Sequence, residues 1–102
     1  MELIDAAMVG DAACVASLLR NPLSNPNFAD DKGFTALMIA AENGHAPVVT
    51  LLLGDQRVNP NMTNTQNGNT ALMFAARRNY GPVLELLLAD HRTIRTLSLI
   101  HI

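Results

Sequence analysis

The chain has 102 residues, of which 49% are hydrophobic, 16% charged and 4% aromatic, enough for one folded domain rather than a disordered segment. Seven Lys and Arg against nine Asp and Glu leave a net charge of −2, which removes the clustered basic charge that nucleic-acid binding rests on. No apolar run approaches the ~18–20 residues that span a bilayer, so neither a nucleic acid nor a membrane is an expected partner.

The N-terminus reads Met1-Glu2-Leu3-Ile4-Asp5. Two acids and no basic stretch make it a poor secretory signal. One cysteine, Cys14, excludes an intrachain disulfide framework and fits a reducing compartment. An intracellular protein, cytoplasmic or nuclear, is expected.

The next segments repeat. Gly33-Phe34-Thr35-Ala36-Leu37-Met38-Ile39-Ala40-Ala41 recurs as Gly68-Asn69-Thr70-Ala71-Leu72-Met73-Phe74-Ala75-Ala76, at an offset of 35. Pro47-Val48-Val49 recurs as Pro82-Val83-Leu84, and Leu51-Leu52-Leu53 as Leu86-Leu87-Leu88. A shift of 34 in the other direction carries Ala40-Ala41 to Ala6-Ala7, Gly44 to Gly10, Val49 to Val15 and Leu52-Leu53 to Leu18-Leu19. The one-residue difference falls in the polar stretch 62–67, where an insertion is easily absorbed. Three copies at a steady period mean a stacked repeat architecture.

Within each copy the elements can be taken in order. Thr35 caps a helix through Ala41 or Glu42, and Thr70 caps one from Ala71 to Arg77. Their alanines permit close approach of a neighbouring helix. Asn43-Gly44 is a turn signal that ends the first of these helices. Pro47 and Pro82 then stand in the first turn of a second helix, where a missing N–H is tolerated. Val48, Val49, Leu51, Leu52 and Leu53 make that helix more apolar than one exposed face needs, so it is expected to be buried. Asn59-Pro60-Asn61 breaks the chain, and Asn67-Gly68 suits a tight hairpin tip. Each unit is a helix–turn–helix followed by a projecting loop or hairpin.

These residues resemble the ankyrin repeat, whose period is ~33 and whose signature is Thr-Pro-Leu-His-x-Ala. The resemblance covers residues from about 2 to 92. It implies an all-α ankyrin-repeat solenoid of stacked helix–turn–helix units with hairpin loops. Ala36 and Ala71 replace the usual proline, and Met38 and Met73 replace the usual histidine, filling its space apolarly. Tyr80-Gly81 stands where Gly-His is commoner. The first copy lacks a hairpin and a Thr cap. The expected domain is 1–96, with a first repeat over about 1–32, a second over 33–67 and an incomplete third over 68–96.

After Arg92 the repeat pattern fails. The last six residues, Leu97-Ser98-Leu99-Ile100-His101-Ile102, match the translation of a transposase adaptor used in sequencing libraries. Residues 97–102 are therefore expected to be a non-native tail, although a short terminal element on the last repeat is the bland alternative. The chain is then a fragment of a longer array.

Catalytic chemistry is not legible. His45, His91, His101 and Cys14 form no metal-ligand spacing. His45 reads as structural, and Cys14, equivalent to Val48, as a buried small hydrophobe. The glycines are spread one per turn, with no phosphate-binding loop. No catalytic residue, metal or cofactor is expected, and the chain reads as a non-enzyme.

The ankyrin resemblance instead implies a protein–protein interaction module. It would act as a monomer and bind another protein through hairpin tips and the concave face of the inner helices. By position, the partner-binding residues are Asp31, Lys32, Phe34, Glu42 and Asn43 in the second repeat. In the third they are Thr65, Gln66, Asn67, Asn69, Arg77 and Arg78. Phe34 is either a rigid anchor for a partner or packing for the adjacent hairpin. Two alternatives are the ankyrin portion of a larger enzyme or signalling protein, and a structural spacer in a long array.

Overall fold

A computed structural model describes residues 2–66 and 68–90. The expectations on Asn67 and on residues 91–102, the tail included, lie outside the described residues. The helices run α1 (Leu3–Val9), α2 (Ala12–Leu19), α3 (Ala36–Asn43), α4 (Ala46–Leu53), α5 (Ala71–Arg78) and α6 (Gly81–Ala89), and the described residues contain no strand. α1, α3 and α5 pack side by side as one row, and α2, α4 and α6 as a second row behind it. Each helix also packs on its partner within its pair.

Local chemistry sets the helix ends. The Oγ1 of Thr35 accepts a hydrogen bond from the Met38 N–H at 3.3 Å, and that of Thr70 from the Met73 N–H at 3.4 Å. Asp11 does the same for α2, accepting from the Cys14 N–H at 3.1 Å. α1 has Glu2 at this position and no side-chain cap, the deficit expected of the first copy. Pro47 and Pro82 occupy the first turns of α4 and α6. Gly44 closes α3 in the left-handed region at φ 74°.

The expected placing of Tyr80-Gly81 at the Gly-His position is one residue out of register. Asn79, at φ 59°, takes the place of Gly44, and Tyr80 that of His45. Asparagine is one of the few side chains that tolerates this conformation. The ring that follows each turn covers the turn before it. A Cβ on Gly44 would stand 3.2 Å from the Tyr80 ring, and one on Gly10 would stand 2.8 Å from the His45 ring. His45 Nε2 also donates to the Met8 carbonyl at 3.0 Å. His45 thus joins the first two repeats, a structural role.

The core depends on stacking between copies. Leu52 and Leu87 are fully buried, whereas the equivalent Leu18 is half-buried. Val48 and Val83 are buried, whereas Cys14 is half-buried. The expectation of a buried Cys14 is therefore corrected: among the described residues no helix pair packs on the side of α2 away from α4. The opposite face behaves in mirror fashion. Ala7 and Ala41 are fully buried, while Ala76 in the third copy is exposed. A position is covered only where a neighbouring repeat covers it.

Arg57 ties the loops together across repeats. Its guanidinium donates to the carbonyls of Leu19 at 2.7 Å, Ser24 at 2.9 Å and Asn21 at 3.3 Å, satisfying the C-terminal end of α2. Asp55 holds the fork in place, with Nη2 to Oδ2 at 2.8 Å and Nε to Oδ1 at 3.0 Å. Hydrogen bonding from Arg57 keeps the Asp55 carboxyl below the ordinary carboxylate range, against the opposing effect of burial. Asn27 adds a second tie, donating to the Arg57 carbonyl at 2.7 Å and accepting from the Asn59 N–H at 2.7 Å.

Two outcomes are expected. Leu52→Ala should lower unfolding free energy by ~2–5 kcal/mol, and Leu18→Ala by clearly less. Equal urea midpoints for the two variants would contradict the stacking register. Asp55→Asn should be less stable than the native chain at neutral pH. The folded carboxyl titrates below its unfolded value of about 3.9, so its contribution is complete above that value. The contribution drains away as pH falls through the lowered folded value. The gap between the two urea midpoints should close in acid; a gap independent of pH would contradict the Asp55–Arg57 assignment.

Candidate functional site

The row of first helices carries a groove. One part is a depression of about 320 Å³ lined by Met8 of α1, Asp30, Lys32 and Phe34 of the first hairpin, and Ile39, Glu42 and Asn43 of α3. The adjoining part, about 280 Å³, is lined by Glu42, Phe74, Arg77 and Arg78. Glu42 belongs to both. The Phe34 and Phe74 rings, one from each part, touch with centroids 5.4 Å apart and planes tilted by 36°. Open apolar surface is confined to the Met8 end, where Met8 is 52% exposed and Phe34 partly so, over a nearly closed Ile39; the Phe74 end, with Phe74 itself buried, is mainly charged.

The hairpin tips are built by backbone hydrogen bonds rather than by strands. Asp30 N–H donates to the Phe34 carbonyl at 3.0 Å, and Asn64 N–H to the Asn69 carbonyl at 3.0 Å. Asp30 Oδ1 accepts from the N–H groups of Lys32 and Phe34, both at 2.9 Å, and Asn64 Oδ1 from Asn69 at 2.8 Å. Successive tips are joined where Thr65 donates to the Lys32 carbonyl, at 3.2 Å from its N–H and 2.9 Å from its hydroxyl. Gly33, at φ 82°, permits this approach, since a Cβ there would meet the Thr65 nitrogen at 2.5 Å.

The profile described as ankyrin repeats (3 copies) matches residues 3–96. The chain belongs to the ankyrin repeat family. A chain in the solved complex of the Bd0816 predatory endopeptidase from Bdellovibrio bacteriovorus with immunity protein Bd3460 is similar, with 36% identity and a TM-score of 0.78. The similarity covers 87% of this chain and 45% of that one, so this chain spans less than half of its neighbour's length. No curated protein matches the chain. Ankyrin repeats generally serve as protein-interaction modules, and the family fold is typically non-catalytic.

Within this ankyrin stack, six residues expected from sequence meet in the groove: Lys32, Phe34, Glu42, Asn43, Arg77 and Arg78. Asp31 is exposed on the other flank of the first tip, beside Phe28, which is 58% exposed. Thr65 is engaged in joining the two tips, Gln66 is exposed, and Asn69 is tied into its own turn. None of these three lines the groove. Asn67 lies outside the described residues. Phe34 is partly buried, with its ring against Phe74 of the next repeat's helix.

Sequence reasoning missed Met8, Ile39 and Phe74. Met8 is 52% exposed while its neighbours Ala6 and Ala7 are fully buried. An unpaired methionine three residues before an N-cap Asp was the available signal. Among the described residues, no group of three or more His, Cys, Asp and Glu could hold a metal ion, and no helix is long and apolar enough to cross a membrane. Another depression, about 260 Å³, lies on the outward face of the first repeat between Leu3, Ile4, Leu18 and Phe28. Its Leu3, Ile4 and Leu18 stand at the positions of the buried Leu37, Met38 and Leu52 of the second repeat.

Phe34→Ala should cost about 1–3 kcal/mol, less than a fully buried phenylalanine, because part of the ring is already solvated. An unchanged thermal midpoint would show that the Phe34–Phe74 contact does not couple the second and third repeats.

Proposed function

We propose that this chain is a non-catalytic, monomeric protein-binding module that holds a segment of another protein in the groove of the α1–α3–α5 row. The observation that carries this reading is the groove itself: a depression with Met8 and part of Phe34 open to solvent at one end, lined by residues of all three repeats and rimmed by charges of both signs. A pure spacer has no need of a half-exposed Met8 at that position. Binding residues are Lys32, Phe34, Glu42, Asn43, Arg77 and Arg78, joined by Met8 and Ile39. Asp31, Thr65, Gln66, Asn67 and Asn69 serve as the tip surface beside it. Repeat boundaries at 33 and 68 follow the sequence periodicity, and the lone cysteine supports an intracellular location. In the Bdellovibrio complex an endopeptidase is bound to an immunity protein; a peptidase is accordingly one partner class to screen.

The test is selection from a displayed random-peptide library against the full chain. Selected peptides should lose binding to a Met8→Glu, Lys32→Glu variant and keep it for Glu85→Lys, an exposed position of α6 in the other helix row. Loss on Glu85→Lys with retention by the groove variant would overturn the proposal.

A further inference from the structure

Charge is distributed unevenly along this groove, and the distribution specifies a partner. Of the basic side chains in the described part of the chain, Arg57 is committed to the loop ties. Arg77 and Arg78 stand together in the last turn of α5. Both are exposed, and Arg77 makes no ion pair among the described residues. Arg78 meets only Glu42, at 3.6 Å, with 58% of its side chain still open to solvent. At that distance and exposure the pair is weak and readily exchanged. An incoming carboxylate could replace Glu42 and gain a bidentate contact that Glu42 does not make.

The opposite end of the groove has a different character. Asp30 spends one carboxylate oxygen on two backbone N–H groups, a single cation, Lys32, stands on the rim, and the open apolar surface there is Met8 with part of Phe34, above the nearly closed Ile39. Methionine adapts its shape to varied apolar side chains. From α1 to α5 is two interaxial spacings, roughly 16–20 Å. An extended chain covers that in about six residues at ~3.3 Å each.

Resting on the binding role proposed above, we infer that the occupant is a short acidic–apolar segment. Its apolar side chain sits against Met8 and Phe34, and its carboxylates, some six residues along, bind Arg77 and Arg78. Glu42 is an internal competitor for Arg78 and sets the affinity.

The experiment uses three fluorescein-labelled octapeptides and the full chain. The first carries two leucines, a four-residue polar spacer and two glutamates; the second has lysines for the glutamates, and the third serines for the leucines. Anisotropy should show the first binding at least tenfold more tightly than either of the others, with the difference from the lysine peptide shrinking at high salt. Arg77→Glu with Arg78→Glu should reverse the charge preference, and Glu42→Gln should tighten binding of the glutamate peptide several-fold. Backbone amide shifts of the labelled protein locate the peptide. If the lysine peptide binds as well as the glutamate peptide and shifts Met8 and Ile39, the acidic-partner inference is overturned while the groove reading stands. If no peptide shifts groove residues, both fall. Unchanged affinity in the Arg77, Arg78 double variant also overturns the inference.

Discussion

Everything in this molecule depends on the burial of one helix pair by the next. A helix of seven to nine residues has little stability in water by itself, and a pair of them has too little apolar surface to close a core. Met38 and Leu52 are buried because the second repeat has neighbours on both sides, while Ile4 and Leu18 in the first repeat remain partly open. The alanines serve the same constraint. Ala6, Ala7, Ala40, Ala41 and Ala75 are all fully buried, and their small size lets the first-row helices approach closely.

The same stacking produces the groove. No single repeat contains it: Met8 comes from the first, Phe34 and Glu42 from the second, and Phe74 with the arginine pair from the third. Three kinds of tie hold these parts in register. Rings from one repeat cover the turn of the previous one, Arg57 gathers the carbonyls at the end of α2, and Thr65 joins the two tips through the Lys32 carbonyl. His45, Arg57 and Thr65 each engage a backbone carbonyl of the preceding repeat. Register is therefore fixed at the loops, leaving the first-helix row free to vary its exposed side chains.

Much of this was legible in the residues. The recurrence of Gly-x-Thr-Ala-Leu-Met fixed the helix starts, and the threonine caps are found where the pattern places them. Alignment by Gly alone misled at Tyr80-Gly81, because the left-handed residue there is Asn79 and the true equivalent of His45 is a tyrosine. Position within a repeat identified the half of the groove made by charged and tip residues. It could not identify Met8, since an apolar residue on an alanine-rich helix reads as core until the neighbouring helices are placed. Nor could it separate Thr65 from Lys32, because both belong to tips and only geometry shows that one is consumed in joining them. The extra residue of the second loop lies between Asn64 and Gly68, at the tip itself, where it lengthens the turn without disturbing the Asn64–Asn69 closure.

Native-state amide hydrogen exchange, read residue by residue, tests this dependence on neighbours most directly. The account predicts that the central amides of α3 and α4, such as Ala40 and Leu52, exchange only through unfolding of the whole stack, while those of α2 open earlier by local detachment of the first repeat. Faster exchange in α3 and α4 than in α2 would contradict the account, because the repeat covered on both sides would then be the less stable one.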